Sequence, residues 1–421
     1  MTIKDLNAYP RPVAGPAGAT QSSISPPEPD LTPSELLRRA ETLRPVLRER
    51  QAATEAAGRL LDETHEAFVE AGFYRTIQPR RFGGYEFGLR DFIRVMIEIS
   101  RGCPSSGWVL ALTAGHPHLL GHFSEEAQAE VYGSDGDVRV PGRPVPGGEA
   151  IASRGGYVVS GAWDYASGCD QATHFVGTVV VHGSDPPHLL YVLIDRDDYS
   201  IIENWNVIGL RGTGSKRVAC EDVFVAEHRA ITAIGTTEEP PPGWRTHENP
   251  LYSGALFTLL FFELGAIAVG VARGAIDVYE DVLRDKRIDI PPFTTRGELG
   301  EFQRHLGNAI GLVDVAEAAL LEGADRYLEQ AERAVETGTP VDQTGEESRR
   351  LLLLEQQCVR LAGEAVDLLF RTGGTSGGQI GSPMANAMLA LSVMRTHMGL
   401  QWDRTMENVA RLRLGLPAGF A

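Results

Sequence analysis

The stretch Trp205-Asn206-Val207-Ile208-Gly209-Leu210-Arg211-Gly212-Thr213-Gly214-Ser215, continuing through Lys216 to Arg229 as KRVACEDVFVAEHR, decides how this chain is read. Gly209, Gly212 and Gly214 free the backbone for tight or left-handed turns and for close approach to a ligand. Between them, Arg211, Thr213 and Ser215 offer a fixed cation, two hydroxyls and backbone N–H groups. That set suits a flat ligand with anionic or carbonyl edges. From Arg217 to Val225 the residues alternate, which reads as a strand leaving the loop. A glycine-rich β-turn with incidental hydroxyls fits the same spacing, so spacing alone leaves both readings open.

The wording of the stretch goes further. W-x-x-x-G-x-R-G-T-G-S followed by D-V-F-V-x-x-H-R resembles the flavin loop of the acyl-CoA dehydrogenase fold. More narrowly it resembles the oxygenase component of two-component flavin-dependent monooxygenases, the p-hydroxyphenylacetate 3-hydroxylase-like group. The resemblance implies an α+β fold: an N-terminal helical domain, a central β-barrel and a C-terminal four-helix bundle. It implies that Arg211, Gly212, Thr213 and Ser215 hold the edge of a reduced flavin.

Outward from the loop, other segments agree. Pro104 to His118 reads as a capped helix with Trp108, Leu112 and His116 on one face, stopped by Pro117. It resembles the family's S-x-G-W-(x)7-H segment, where tryptophan walls the pocket and histidine faces substrate and flavin. Read without the family, His116 is more simply a helix-end histidine bonded to backbone. Trp163 to Cys169 (WDYASGC) resembles the family's W-x-(F/Y)-x-S-G-(C/S) turn, whose serine, here Ser167, reaches the flavin N5 region. Met394-Arg395-Thr396-His397 resembles an x-R-x-H pair whose histidine acts on the substrate hydroxyl. The preceding PMANAMLA, from Pro383 to Ala390, lacks the two arginines and aspartate of many phenol hydroxylases, which points to a larger or more apolar substrate. Gly374 and Thr375, in a glycine-rich interhelical turn, are further cofactor candidates on resemblance, and Arg211 or Arg273 is a candidate to neutralise the reduced flavin or its phosphate.

The organisation expected is a mobile Pro/Gly/Ser-rich arm over 1–30, a helical domain over 31–140, a β-barrel over 141–234, an acidic proline-rich linker over 235–250 and a helical bundle over 251–421. Thr32-Pro33-Ser34-Glu35 is a helix start, with a second helix from Ala53 to Ala71 and a third from Leu89 to Ser100. Pro and Gly crowd positions 141 to 148, a plausible boundary, before strands at Gly156–Trp163, His174–Val181 and Leu189–Asp195. Long helices follow at Phe257–Lys286, Leu299–Thr337, Glu346–Phe370 and Met384–Leu412.

Composition sets the outer limits. The 421 residues are 43% hydrophobic and 23% charged, with net charge −17. That balance disfavours nucleic acid, whose phosphates need a basic face. No secretory pattern or membrane-length apolar run is evident, so a cytoplasmic location is expected. Cys103, Cys169, Cys220 and Cys358 lack metal spacing, and His118 and His122 lack a third ligand, so no metal is expected.

The function expected is hydroxylation of an electron-rich, aromatic or phenolic small molecule by reduced flavin and O2, through a C4a-hydroperoxyflavin. FMNH2 is preferred to FADH2, and a separate flavin reductase supplies it. Catalytic roles fall to His397 as a base of near-neutral pKa, to His116 as the orienting group and to Ser167. The family implies a homotetramer, a dimer of dimers. Alternatives are an N-hydroxylase of an amine or amino sugar, an acyl-CoA dehydrogenase, and a catalytically silent binding or scaffold protein on the same fold.

Overall fold

The computed structural model describes residues 24–234, 240–289, 291 and 293–418. Most of the expected N-terminal arm, residues 1–23, and residues 235–239 of the expected linker lie outside them. The described part of the arm is tied down: Ile24 bridges Phe82, and Glu28 pairs with Arg39. The rest of the linker is likewise packed. The Gly243 N–H donates to the His122 carbonyl, and the buried His247 bonds Gln128.

Helix α1 (Pro33–Ala57) starts where the capping signal placed it, with Thr32 Oγ1 accepting from Glu35 N–H at 3.2 Å. It runs further than expected, through Pro45. The first break falls at Gly58, in the left-handed region at φ 65°, where glycine bears no Cβ penalty. Helix α2 (Asp62–Ala71) follows and stops at Gly72, and α3 (Leu89–Gly102) leads into α4 (Pro104–Gly115). Pro117 ends α4 and opens the short α5 (Pro117–Leu120), before α6 (Glu125–Tyr132).

Seven strands form one sheet in the order β5-β6-β2-β1-β3-β4-β7. They are β1 (Gly142–Ser153), β2 (Gly156–Ala166), β3 (His174–Val181), β4 (Leu189–Asp195), β5 (Ser200–Ile202), β6 (Lys216–Ala226) and β7 (Ala230–Thr232). Strands β5 and β7 are the two edges, and no pairing among the described residues closes them into a barrel. The Pro/Gly-rich 141–148 segment, read as a boundary, leads straight into β1, which begins at Gly142. Its irregular register against β3, shifting at Pro146, accommodates the prolines. Trp163 is buried in the sheet, its indole N–H donating to the Thr178 carbonyl at 2.9 Å.

The C-terminal half is built round α7 (Leu256–Asp285), which packs against α3, α4, α8 (Gly300–Thr337), α9 (Glu346–Thr372) and α10 (Pro383–Met394). By length and composition α7 could cross a membrane, unlike the expectation, but 78% of its apolar window is buried in the bundle. The expected last helix is two, α10 and α11 (Trp402–Arg413). The break between them carries His397. It is fixed by the Gly399 N–H donating to His397 Nδ1, and by Gly399 lying so close to Phe261 that a Cβ would stand 2.6 Å from the ring.

Glu263 of α7 is fully buried behind Gly115, and neither carboxylate oxygen meets a partner among the described residues. Burial raises its pKa well above the ordinary carboxylate value, so it folds as the neutral acid. An acid whose pKa is raised on folding loses stabilisation as pH climbs above about 4.5. Glu263→Gln keeps the shape without that proton. The variant's melting temperature should exceed wild type's by a margin that widens from pH 5 to pH 8. A margin independent of pH would contradict the neutral-acid assignment.

Candidate active site

A cavity of about 510 Å³ opens where α4, the sheet and α7 meet the α10–α11 break. It brings together Trp108, His116, Ser167, Thr213, Ser215 and His397 from four separate segments. Its far wall is apolar, with Leu112, Phe257, Phe261, Leu264 and Met394. Among the described residues, no Asp or Glu lines it. An acyl-CoA dehydrogenase needs a carboxylate base against its substrate, so the lining disfavours that alternative.

The polar side is a chain of hydrogen bonds. Trp108 Nε1 lies 2.9 Å from Ser167 Oγ, Ser167 Oγ lies 2.7 Å from Ser215 Oγ, and Ser215 Oγ lies 2.7 Å from Thr213 Oγ1. Thr213 Oγ1 ends the chain 2.9 Å from the Leu210 carbonyl. Each hydroxyl owns one proton, and a carbonyl can only accept. Thr213 therefore donates to Leu210, Ser215 to Thr213, and Ser167 to Ser215. Ser167 takes the indole proton on one lone pair and keeps the other, as an acceptor beside the cavity. Leu210 stands at φ 57°, a conformation few residues with side chains adopt, and this aims its carbonyl at Thr213.

The loop is clamped from behind. The Glu55 carboxylate of α1 accepts from the Arg211 N–H at 2.9 Å and from Ser105. Gly212 sits so near α1 that a Cβ would lie 2.5 Å from Thr54. The loop's N–H groups are thus largely spent inside the protein: those of Thr213, Gly214 and Lys216 also bond within the loop. Hydroxyls, rather than the backbone donors expected from the sequence, are what the loop turns to the cavity.

His116 is buried, His397 is half-buried, and the two differ in tautomer. His116 Nδ1 lies 2.6 Å from the Val140 carbonyl and must donate to it, leaving Nε2 as an acceptor. His397 Nδ1 accepts from Gly399 N–H at 3.1 Å, so its neutral ring carries the proton on Nε2 and is a donor. Its ring stands edge-on to Trp108, centroids 5.7 Å apart. Burial lowers the pKa of both rings to about 4, helped at His397 by the charge of Arg143. The near-neutral pKa expected for a base is lost because partial or full burial disfavours the charged ring.

Other candidates lie elsewhere. The Arg211 side chain is exposed and outside the cavity. Arg273 is held by Asp314 and Glu317 at 2.8 and 2.7 Å. Gly374 packs beside the Arg296 guanidinium, and Thr375 is exposed. His118 is a structural residue, its Nε2 2.8 Å from both the Leu251 carbonyl and the Tyr327 hydroxyl. Arg143 and Tyr165 line the cavity and were missed: the first hides in the proline-rich run taken for a boundary, the second inside the WDYASGC turn.

Comparison with known proteins agrees with this geometry. The acyl-CoA dehydrogenase N-terminal domain family matches residues 39–134, and the acyl-CoA dehydrogenase C-terminal domain family matches 263–402. The oxygenase subunit of a flavin-dependent monooxygenase from Rhodococcus jostii is 38% identical over 244 residues, 58% of this chain and 64% of the relative, just under two thirds of its length. A pigment production hydroxylase from Rhodococcus sp. is 31% identical over 92% of this chain and 98% of its own. The crystal structure of 3-HSA hydroxylase from Rhodococcus sp. superposes with a TM-score of 0.83 at 31% identity, covering 92% and 98% of the two chains.

Both cavity histidines should resist protonation. With folded pKa values near about 4 against roughly 6.5 unfolded, each ring costs the fold stability as pH falls through that interval. The imidazole Cε1 proton resonances of His116 and His397, assigned by substitution, should stay at their neutral positions from pH 8 to pH 5.5. A midpoint near 6.5 would contradict the buried, unprotonated state. The fold, the cavity and these relatives place the chain in one family: it belongs to the flavin-dependent monooxygenases of the acyl-CoA dehydrogenase fold.

Proposed function

We propose that this chain is the oxygenase component of a two-component system that hydroxylates an electron-rich aromatic, phenolic small molecule with reduced flavin and O2, a separate reductase supplying the flavin. The observation that carries the reading is the proton-ordered hydroxyl chain ending at Ser167, set in a cavity between two neutral histidines. The residues fit the cofactor. Oxidised flavin has a bare nitrogen at N5 and reduced flavin an N–H there, and an acceptor at Ser167 suits the second. Thr213, Ser215 and Trp108 hold Ser167 in that role, and FMNH2 is put ahead of FADH2. The homotetramer stays part of the proposal, as does a small-molecule substrate of apolar body.

Reduced flavin, when bound, supplies the oxygen chemistry, and the protein supplies position, dryness and electrostatics. The hydrogen bonds redistribute the histidine roles expected from sequence. His116 Nε2, the free acceptor, receives the substrate hydroxyl, while His397 Nε2–H donates into the cavity. A phenol has a pKa of about 10 and the His116 ring one of about 4, so complete prior proton transfer would be uphill by roughly 8 kcal/mol. His116 therefore polarises the O–H and takes the hydroxyl proton only as the ring's electrons form the new C–O bond. The apolar wall keeps water from the reacting atoms.

The test is anaerobic loading with FMNH2, then mixing with oxygenated buffer and a phenol panel, scoring hydroxylated product per flavin. His116→Ala should cut product formation by roughly 100-fold while FMNH2 affinity stays within about threefold. Product formation unchanged in the variant, or lost only in proportion to flavin binding, would reject the assignment of His116.

A further inference from the structure

Arg143 of β1 is a lone cation in the cavity wall. Among the described residues no carboxylate lies within ion-pair distance of its guanidinium and no acceptor bonds it. The nearest acidic neighbour, Asp164, is already engaged by Arg217 through two contacts of 2.8 Å and by Asn204 at 2.7 Å. What Arg143 does meet is a ring: its guanidinium carbon stands 5.6 Å from the centroid of Tyr165. Tyr165 is held at φ 65°, a strained conformation for a residue with a side chain, and its ring is 60% exposed. An exposed aromatic on strained backbone, placed under an unpaired arginine, is a geometry that folding alone does not require.

The cost is visible. Partial burial lowers the Arg143 pKa from its ordinary value, outweighing the opposing pull of Tyr165 and Asp164. In a chain of net charge −17, carboxylates to neutralise it were available in number.

We propose that Arg143 is the specificity-determining residue for an anionic group, a carboxylate or its equivalent, carried by the aromatic substrate. The proposal rests on the aromatic-hydroxylase reading and names the substrate class within it. The guanidinium's neighbours favour the substrate over the flavin phosphate as the source of the charge. The adjacent Gly142 lies against the substrate-side ring, its Cβ position 3.5 Å from His116 Cε1, and Arg143's charge acts on His397. The hydroxyl chain that would hold the flavin ring comes from other segments. The substrate then has an apolar aromatic body against Phe257, Phe261 and Leu264, a hydroxyl toward His116 and an anionic end toward Arg143. This refines the larger or more apolar substrate inferred from the missing arginines of the PMANAMLA stretch.

The experiment is equilibrium binding to the FMNH2-loaded protein without oxygen, so that no turnover enters. The probes are 4-hydroxyphenylacetate and 4-hydroxyphenylacetamide, alike in shape and differing by one charge. In a parallel arm, reduced FMN and reduced riboflavin are compared to isolate the flavin phosphate. Wild type should bind the acid roughly 10- to 100-fold more tightly than the amide, the range of a charge-assisted hydrogen bond. Arg143→Gln should abolish that preference by weakening the acid alone, and Arg143→Lys should keep part of it. An acid–amide ratio equal in wild type and Arg143→Gln overturns the proposal. So does failure of both probes to bind, or a loss that falls on FMN relative to riboflavin instead. Wild type that binds no reduced flavin at all defeats the hydroxylase reading first, and this one with it; intact flavin binding with an unchanged ratio defeats this one alone.

Discussion

Five groups in series, Trp108, Ser167, Ser215, Thr213 and the Leu210 carbonyl, constrain this molecule more than any other set of contacts. Because the terminal carbonyl cannot donate and the indole cannot accept, every proton between them has one direction. The segments that must meet for the chain to exist are α4, the turn after β2 and the glycine loop before β6. Much of the architecture serves that meeting. Glu55 ties the loop to α1, Gly212 lets it approach Thr54, and the strain at Leu210 points the acceptor. The direction of the protons decides what Ser167 can offer a ligand.

Dryness is the second consequence of the same packing. Packed between α4, α7 and the α10–α11 break, His116 and His397 are neutral, and their opposite tautomers follow from one backbone carbonyl and one backbone N–H. A solvated pair would be interchangeable acids and bases near neutral pH. This pair divides into an acceptor and a donor across one cavity, and the division is fixed by main chain rather than by titration.

Much of this was legible from sequence because local chemistry announces it. Thr32-Pro33 gives a helix start, Pro117 ends α4, and the alternating runs at His174–Val181 and Leu189–Asp195 are strands over those residues. The motifs around Trp108, Ser167, Ser215 and His397 named residues that the fold brings to one cavity. What sequence could not supply was direction and partnership. Whether a loop N–H faces a ligand or Glu55 depends on a contact across 156 residues, and which nitrogen of His397 is protonated depends on how the α10–α11 break turns the Gly399 N–H onto the ring. Arg143 was hidden for a related reason: a proline-rich run signals a boundary by composition, yet irregular pairing with β3 carries it through the sheet. Arg273 read as a free cation only because Asp314 and Glu317 are a helix away.

The central claim is that proton order in the hydroxyl chain fits the cavity to reduced flavin. Its most direct test is the ratio of dissociation constants for oxidised and reduced FMN, measured anaerobically at equilibrium in wild type and in Thr213→Val. Valine keeps the shape but removes the acceptor that orients Ser215, freeing the chain to reverse. The account expects wild type to favour the reduced form by roughly tenfold or more, the worth of one good hydrogen bond against two opposed acceptors, and the ratio to shrink toward unity in the variant. Equal affinity for the two redox forms in wild type, or a ratio unmoved by Thr213→Val, would contradict it.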